Sequence, residues 1–161
     1  MRIHCEFETL PGAGRPARIE VLPAPAGRKA KARRRLGFTP HTILVVDDHQ
    51  ATRELFARSL RELGCEVVEA EGPLQAKWLA LTRGRIDLLL TDFRMPNMNG
   101  VQLAHWFRVR FPRCKVVLTS AAPWEVEPYL RSPHDLVLMQ KKDAFSRLAG
   151  IVQDLLDELA A

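Results

Sequence analysis

From Thr42 onward, short unbroken apolar runs alternate with longer stretches in which apolar residues return every three or four positions. Ile43–Val46 shows no polar alternation, as expected of a strand buried on both faces. Gln50–Leu63 places Leu55, Phe56, Ser59, Leu60 and Leu63 on one helical stripe, which Gly64 is expected to stop. Cys65–Glu69 reads as a second strand. Pro73 suits the first turn of a helix running to about Arg83, with Leu74, Trp78 and Leu81 as its expected inner face. Ile86–Thr91 is a third apolar strand, followed by a loop over Asp92–Asn99. Gly100–Arg110 reads as a helix with Val101, Leu103, Ala104 and Phe107 inward. Lys115–Leu118 and Leu136–Gln140 supply a fourth and a fifth strand. A last helix from about Ala144 to Leu159 is expected to bury Leu148, Ile151, Val152, Leu155 and Leu156.

Strands alternating with helices imply βαβ units and a parallel sheet. With right-handed crossovers they build an open three-layer α/β/α sandwich. In such a fold the working site lies outside the carboxyl ends of the strands. Between the fourth and fifth strands, Pro123, Pro128 and Pro133 leave little room for a regular helix, so the fourth helix is expected to be short or distorted.

Composition narrows the class. The 161 residues are 47% hydrophobic and 27% charged, enough for a buried core in a soluble domain. No apolar run approaches the roughly 18 residues of a membrane span, and the start lacks a signal-peptide core. The three cysteines, Cys5, Cys65 and Cys114, form neither a disulfide framework nor a metal knuckle, and suit a reducing cytoplasm.

The net charge of +5 is unevenly placed. Residues 1–40 hold nine Lys or Arg against three Glu, with five of the eleven prolines and four of the nine glycines. Such a composition does not repay the entropy of ordering, so 1–40 is expected to be a flexible basic Pro/Gly-rich segment, with room for a short strand near Arg18–Leu22. Residues 41–161, a nearly neutral body with fifteen basic and sixteen acidic residues, form the domain. The run from Arg28 to Arg35 could meet phosphates, but neither aromatic stacking residues nor a base-reading motif accompany it. It reads as a solvated linker. Neither nucleic acid nor membrane is an expected partner.

The strand ends carry the candidate chemistry. The first strand ends in Asp47-Asp48, the third in Asp92, the fourth in Thr119-Ser120 and the fifth in Lys141-Lys142. Three carboxylates brought together repel one another unless a cation joins them. An all-oxygen set with open positions favours Mg²⁺. A hydroxyl and an ammonium opposite could hold phosphoryl oxygens, and Asp92 could be the nucleophile. Taken singly, each residue has a plainer reading: Asp47-Asp48 as a helix cap, Asp92 as a loop start, His49 as a loop or first-turn residue, Trp78 and Trp106 as core or semi-buried, Trp124 as packing.

As a set, these residues closely resemble the receiver domain of two-component response regulators, the CheY-like family. The resemblance rests on Ile43-Leu-Val-Val-Asp-Asp48, Leu90-Thr-Asp92-Phe-Arg-Met-Pro96 with Asn99-Gly100, Val117-Leu-Thr119-Ser-Ala121 and Met139-Gln-Lys141, and covers about residues 42–159. It implies a flavodoxin-like fold with a five-stranded sheet in the order 2-1-3-4-5. Asp92 would be the phosphoacceptor, served by a histidine kinase or a phosphotransfer protein. Asp47, Asp48, Asp92 and the backbone carbonyl of Arg94 would hold Mg²⁺. Thr119 and Lys141 would contact the phosphoryl group, with Lys142 as the alternative lysine; spacing and the register of Leu148 favour Lys141. Met95, Pro96 and Gly100 would shape the loop, the glycine permitting the turn before the third helix.

The chain also departs from the family. Lys142 stands where a proline usually follows the site lysine. Leu138 stands where an aromatic residue usually couples the site to the surface. The expectation is a single-domain regulator, cytoplasmic and not an enzyme, with no effector domain following and output through protein–protein contact. The rivals are a receiver-like scaffold that is never phosphorylated and a Mg²⁺-dependent aspartyl phosphohydrolase. Arg94 stands where the latter usually carries a second acid.

Overall fold

The computed structural model of the chain describes residues 40–129 and 136–160. The expected flexible segment up to residue 39, the strand suggested near Arg18–Leu22, and Pro133 lie outside the described residues.

Five parallel strands, β1 (Thr42–Val46), β2 (Glu66–Ala70), β3 (Leu88–Asp92), β4 (Lys115–Ser120) and β5 (Leu136–Gln140), form one sheet in the order β2-β1-β3-β4-β5. The flavodoxin-like order expected above is therefore the one observed. Helices α1 (Gln50–Glu62), α2 (Pro73–Arg83), α3 (Gly100–Arg110) and α4 (Lys141–Ala160) cover its two faces. Between β4 and β5, the described residues form two 3-10 turns, at Pro123–Glu125 and Glu127–Tyr129, and no α-helix. Proline rings there withhold the donors that an α-helix needs.

Alternation along each strand divides the core. Ile43, Val45, Leu88, Leu90, Val117 and Met139 face α1 and α4, which contribute Phe56, Leu60, Leu148 and Val152. Leu44, Val46, Val68, Leu89 and Val116 face α2 and α3, which contribute Ala76, Ala80, Leu103 and Phe107. Central strands sandwiched this way must be apolar on both sides, which is why β1 and the apolar part of β3 read as unbroken runs. A small third cluster joins Phe93, Leu118 and Val126 under the first 3-10 turn, with Leu138 packed against it.

Several local expectations need correction. The inner face of α2 is not Leu74, Trp78 and Leu81, which are 73%, 63% and 51% exposed. Pro73, Ala76 and Ala80 face the sheet instead, because small side chains let this helix approach β1 and β2 closely. In α1, Leu55 is 44% exposed, and Ala57 joins Phe56 and Leu60 inside. Strand β2 runs one residue later than expected and β3 runs from Leu88 to Asp92. Strand β4 continues to Ser120, and α4 begins at Lys141, directly after β5. Gly64 does end the α1 connection as expected, at a φ of 87° that side chains resist.

Candidate functional site

Register brings the strand ends together. Val46 pairs with Ala70 on one side and Thr91 on the other, Asp92 with Thr119, and Ser120 with Gln140. Asp47, Asp92 and Lys141 therefore emerge along one edge of the sheet. One carboxylate oxygen from each of Asp47, Asp48 and Asp92 lies within 4.8 Å of the others. Asp47 and Asp92 are buried, while Asp48 is exposed.

Asp47 is held by the chain around it. The backbone N–H of His49 donates to Asp47 Oδ1 at 2.9 Å, and the Arg53 guanidinium donates to the Asp47 carbonyl at 2.7 Å. Arg53 also lies 3.8 Å from Glu69, which Arg61 holds at 2.7 Å. Sequence reading missed Arg53; its position one turn into α1, on the same strand-to-helix corner as Asp47, is the signal that could have found it. His49 is the N-cap of α1: its ring Nδ1 accepts from the Thr52 N–H at 3.4 Å, so its part here is structural.

Lys141 closes the pocket from the opposite side. Its ammonium donates to Asp47 Oδ2 at 2.9 Å and lies 3.0 Å from Asp92 Oδ1. Lys142, one residue further along α4, is exposed. Burial pushes the Asp92 carboxyl above its ordinary range, and the Lys141 hydrogen bond and charge only partly oppose this. Burial would lower the Lys141 ammonium, but its hydrogen bonds to Asp47 and Asp92 outweigh that and hold it above its ordinary value. The two directions are compatible, because Lys141 gains from two acids, while Asp92 bears burial and the Asp47 charge against a single ammonium.

Thr119 is buried, and its hydroxyl donates to the Thr91 carbonyl at 3.3 Å; Ser120 accepts from the Ala122 N–H at 3.1 Å. The Arg94 side chain leaves the pocket and forms a two-pronged ion pair with Glu125 on the first 3-10 turn. Nothing in the spacing of these two residues announced that contact.

The loop residues act differently from expectation. Met95 packs partly into the core below the loop. The Pro96 carbonyl accepts from the Met98 N–H at 2.8 Å. Asn97, not Gly100, takes the left-handed conformation, with φ of 69°. Gly100 is needed for a different reason: it opens α3 so close to β3 that a Cβ there would collide with the Asp92 carbonyl oxygen and the Leu118 side chain. Its own N–H donates to the Phe93 carbonyl at 2.9 Å. The missing side chain thus sets the position of the backbone that carries Asp92.

The donor set suits a hard divalent cation. It is all oxygen, convergent, exposed on the Asp48 side and already drawn to one positive charge, the Lys141 ammonium.

The family model of the response regulator receiver domain matches residues 43–127. A response regulator receiver protein of Anaeromyxobacter sp. (strain Fw109-5) is 43% identical over 79 residues, 48% of this chain and 32% of that protein. The chain spans between 8% and 32% of the length of the first such curated relatives. Among solved structures, the receiver domain of the hybrid histidine kinase CckA matches with a TM-score of 0.61 and 31% identity, over 71% of this chain and 98% of that one. The response regulator TrrA of Thermotoga maritima, in complex with Mg²⁺-BeF, matches with a TM-score of 0.62 and 30% identity, over 71% of this chain and 98% of that one.

Proposed function

This chain belongs to the response regulator receiver domain family of two-component signalling, and from that premise we propose that Asp92 is its phosphoacceptor. The observation that carries the proposal is the convergence of Asp47, Asp48 and Asp92 with Lys141 at the carboxyl ends of β1, β3 and β5.

The phosphoryl donor is a phosphohistidine on a histidine kinase or phosphotransfer protein. An Asp92 carboxylate oxygen attacks phosphorus, a P–O bond forms, and the P–N bond to the histidine breaks. The leaving imidazole keeps the electron pair of that bond and takes up a proton. For this Asp92 must be ionised, and the Lys141 ammonium beside it favours that form against the effect of burial. As the phosphoryl group arrives, Lys141 exchanges a carboxylate partner for a phosphoryl oxygen. The Thr119 hydroxyl, one hydrogen bond away on the paired strand, turns from the Thr91 carbonyl to another. Asp47, Asp48 and the Arg94 carbonyl are the groups that would hold Mg²⁺ beside Asp92. Such a cation offsets the negative charge gathered on the phosphoryl oxygens. Arg53 holds the Asp47 backbone in place throughout.

The role is signalling rather than turnover. The position two residues beyond Asp92, where a phosphohydrolase would carry its second acid, is Arg94, whose guanidinium is engaged with Glu125. Output then passes through contact with another protein.

Incubation with acetyl phosphate and Mg²⁺, followed by intact-mass measurement, tests the reading. The expected product carries one phosphoryl group, is labile to hydroxylamine, and fails to form in Asp92→Asn. A stable phosphate on Ser or Thr would overturn it.

A further inference from the structure

Helix α2 is apolar on two opposite sides. Ala76 and Ala80 face the sheet, while Leu74, Trp78 and Leu81, at spacings of four and three, form a second stripe facing outward. On α3, Val109 is 75% exposed between Arg108 and Arg110. A helix with large apolar residues turned away from its own core has something else to cover them.

The charge around this layer indicates what that is. From Gly72 to Ile86 and from Phe93 to Cys114, the chain carries seven Lys or Arg and not one Asp or Glu. Arg83, Arg85 and Arg94 are paired with Glu66, Asp87 and Glu125. Among the described residues, Arg108, Arg110 and Arg113 meet no carboxylate within ion-pair distance. A second copy of the same face would bring like charges together, so self-association is disfavoured. A polynucleotide offers nothing apolar to bury Leu74, Leu81 and Val109. A helix of another protein could pack on the same stripe, but three arginines without a carboxylate partner beside it favour a densely anionic surface, and the vesicle test separates the two. Lys77 Nζ lies 5.3 Å over the Trp106 ring, which packs on Phe107 and Phe111.

We propose that the α2–α3 face is a reversible docking surface for an anionic lipid bilayer. Leu74, Trp78 and Leu81 enter the interfacial region, where tryptophan is favoured, while Arg108, Arg110 and Arg113 meet the headgroups. The short apolar runs of this chain exclude a membrane span, but adsorption at an interface requires none.

The test is co-sedimentation of the full chain with phosphatidylcholine vesicles, with and without phosphatidylserine. Binding is expected only when the anionic lipid is present. Trp78→Gln with Leu81→Gln should weaken it by about tenfold or more, since two apolar anchors are lost. Arg108→Gln with Arg110→Gln should weaken it and flatten its salt dependence. Leu55→Gln, on the opposite layer, should bind like the parent protein. Circular dichroism checks folding, and Leu74→Gln replaces the double variant if that one unfolds. Absence of binding overturns the proposal, as does binding that the α2 variants leave unchanged, which would place it on the basic N-terminal sequence. Equal binding to duplex DNA, or self-association lost in Trp78→Gln, would likewise overturn it.

Discussion

Lys141, the first residue of α4, donates a 2.9 Å hydrogen bond to Asp47, which lies 94 positions earlier in the chain. The same ammonium lies 3.0 Å from Asp92. The acidic pocket therefore has an internal cation, and an added cation bound there would compete with it for the same oxygens. Removing Lys141 leaves two buried carboxylates facing each other. Lys141→Ala is expected to cost about 1–3 kcal/mol of stability without metal. Mg²⁺ should then stabilise this variant more than the parent, while phosphorylation falls severely. Lys142→Ala should change neither quantity much. Urea titrations with and without Mg²⁺ measure the first effect. A Lys141→Ala variant that gains less from Mg²⁺ than the parent would contradict competition.

In the parent protein, Mg²⁺ at about ten times its Kd should raise stability by about 1.4 kcal/mol, equivalent to roughly 3–6 °C in Tm. Asp48→Asn removes the one exposed carboxylate of the three and should erase most of that rise. Melting curves recorded by differential scanning fluorimetry decide the matter; superimposable curves for the parent with and without Mg²⁺ would count against the cation site.

Gly100→Ala tests the contact between α3 and β3. In an ordinary helix this change helps by up to about 1 kcal/mol. Here the new Cβ meets the Asp92 carbonyl and Leu118, so a net loss of about 1–3 kcal/mol is expected, together with slower phosphorylation as Asp92 shifts. Chemical denaturation and an acetyl phosphate time course give the two readouts. A stabilised, fully reactive variant would show that the approach is looser than described.

Burial pushes the Cys114 thiol from the ordinary 9.0 up to about 12, and the Cys65 thiol up to about 11, with Asp87 adding to both. For each, the folded state favours the neutral thiol. Their contribution to stability is therefore complete below pH 9 and declines as pH rises through the 11–12 range. At pH near 9, where a free thiol is about half ionised, both should alkylate slowly with iodoacetamide while folded and quickly in urea. Peptide mass spectrometry on a Cys5→Ser background reads each site, and rapid native labelling at Cys114 would refute its burial.

Leu138 packs partly buried against Phe93, Leu118 and Val126 and has no ring or hydroxyl to exchange between inside and outside. Instead, the Tyr129 ring lies 5.6 Å from that of Phe93, the residue after Asp92, and the Arg94–Glu125 pair ties the two loops together. A beryllofluoride complex should therefore rearrange the Arg94–Asn99 and Ala121–Glu127 segments without producing a strong dimer through β5 and α4. Light scattering should stay monomeric. A dimer abolished by Leu138→Ala would reverse this conclusion.

The architecture was readable from local pattern. A strand covered on both faces is apolar along most of its length, so β1 and the apolar part of β3 showed as unbroken runs, and the acids at their carboxyl ends marked the edge where a parallel sheet gathers its chemistry. Asp47, Asp48 and Asp92 could be named on that ground alone. The face that α2 turns inward could not, because Leu74, Trp78 and Leu81 form as good a stripe as Ala76 and Ala80. The choice between them depends on how closely the helix can approach the strands, a distance set by packing between segments. The same holds for Gly100, whose role is a clearance from Asp92 rather than a turn angle, and for Arg53 and Glu125, whose partners come from other elements. Periodicity is a property of neighbours along the chain and survives in the sequence. Which polar group meets which across the fold depends on the spacing of layers, and that exists only once the core has closed.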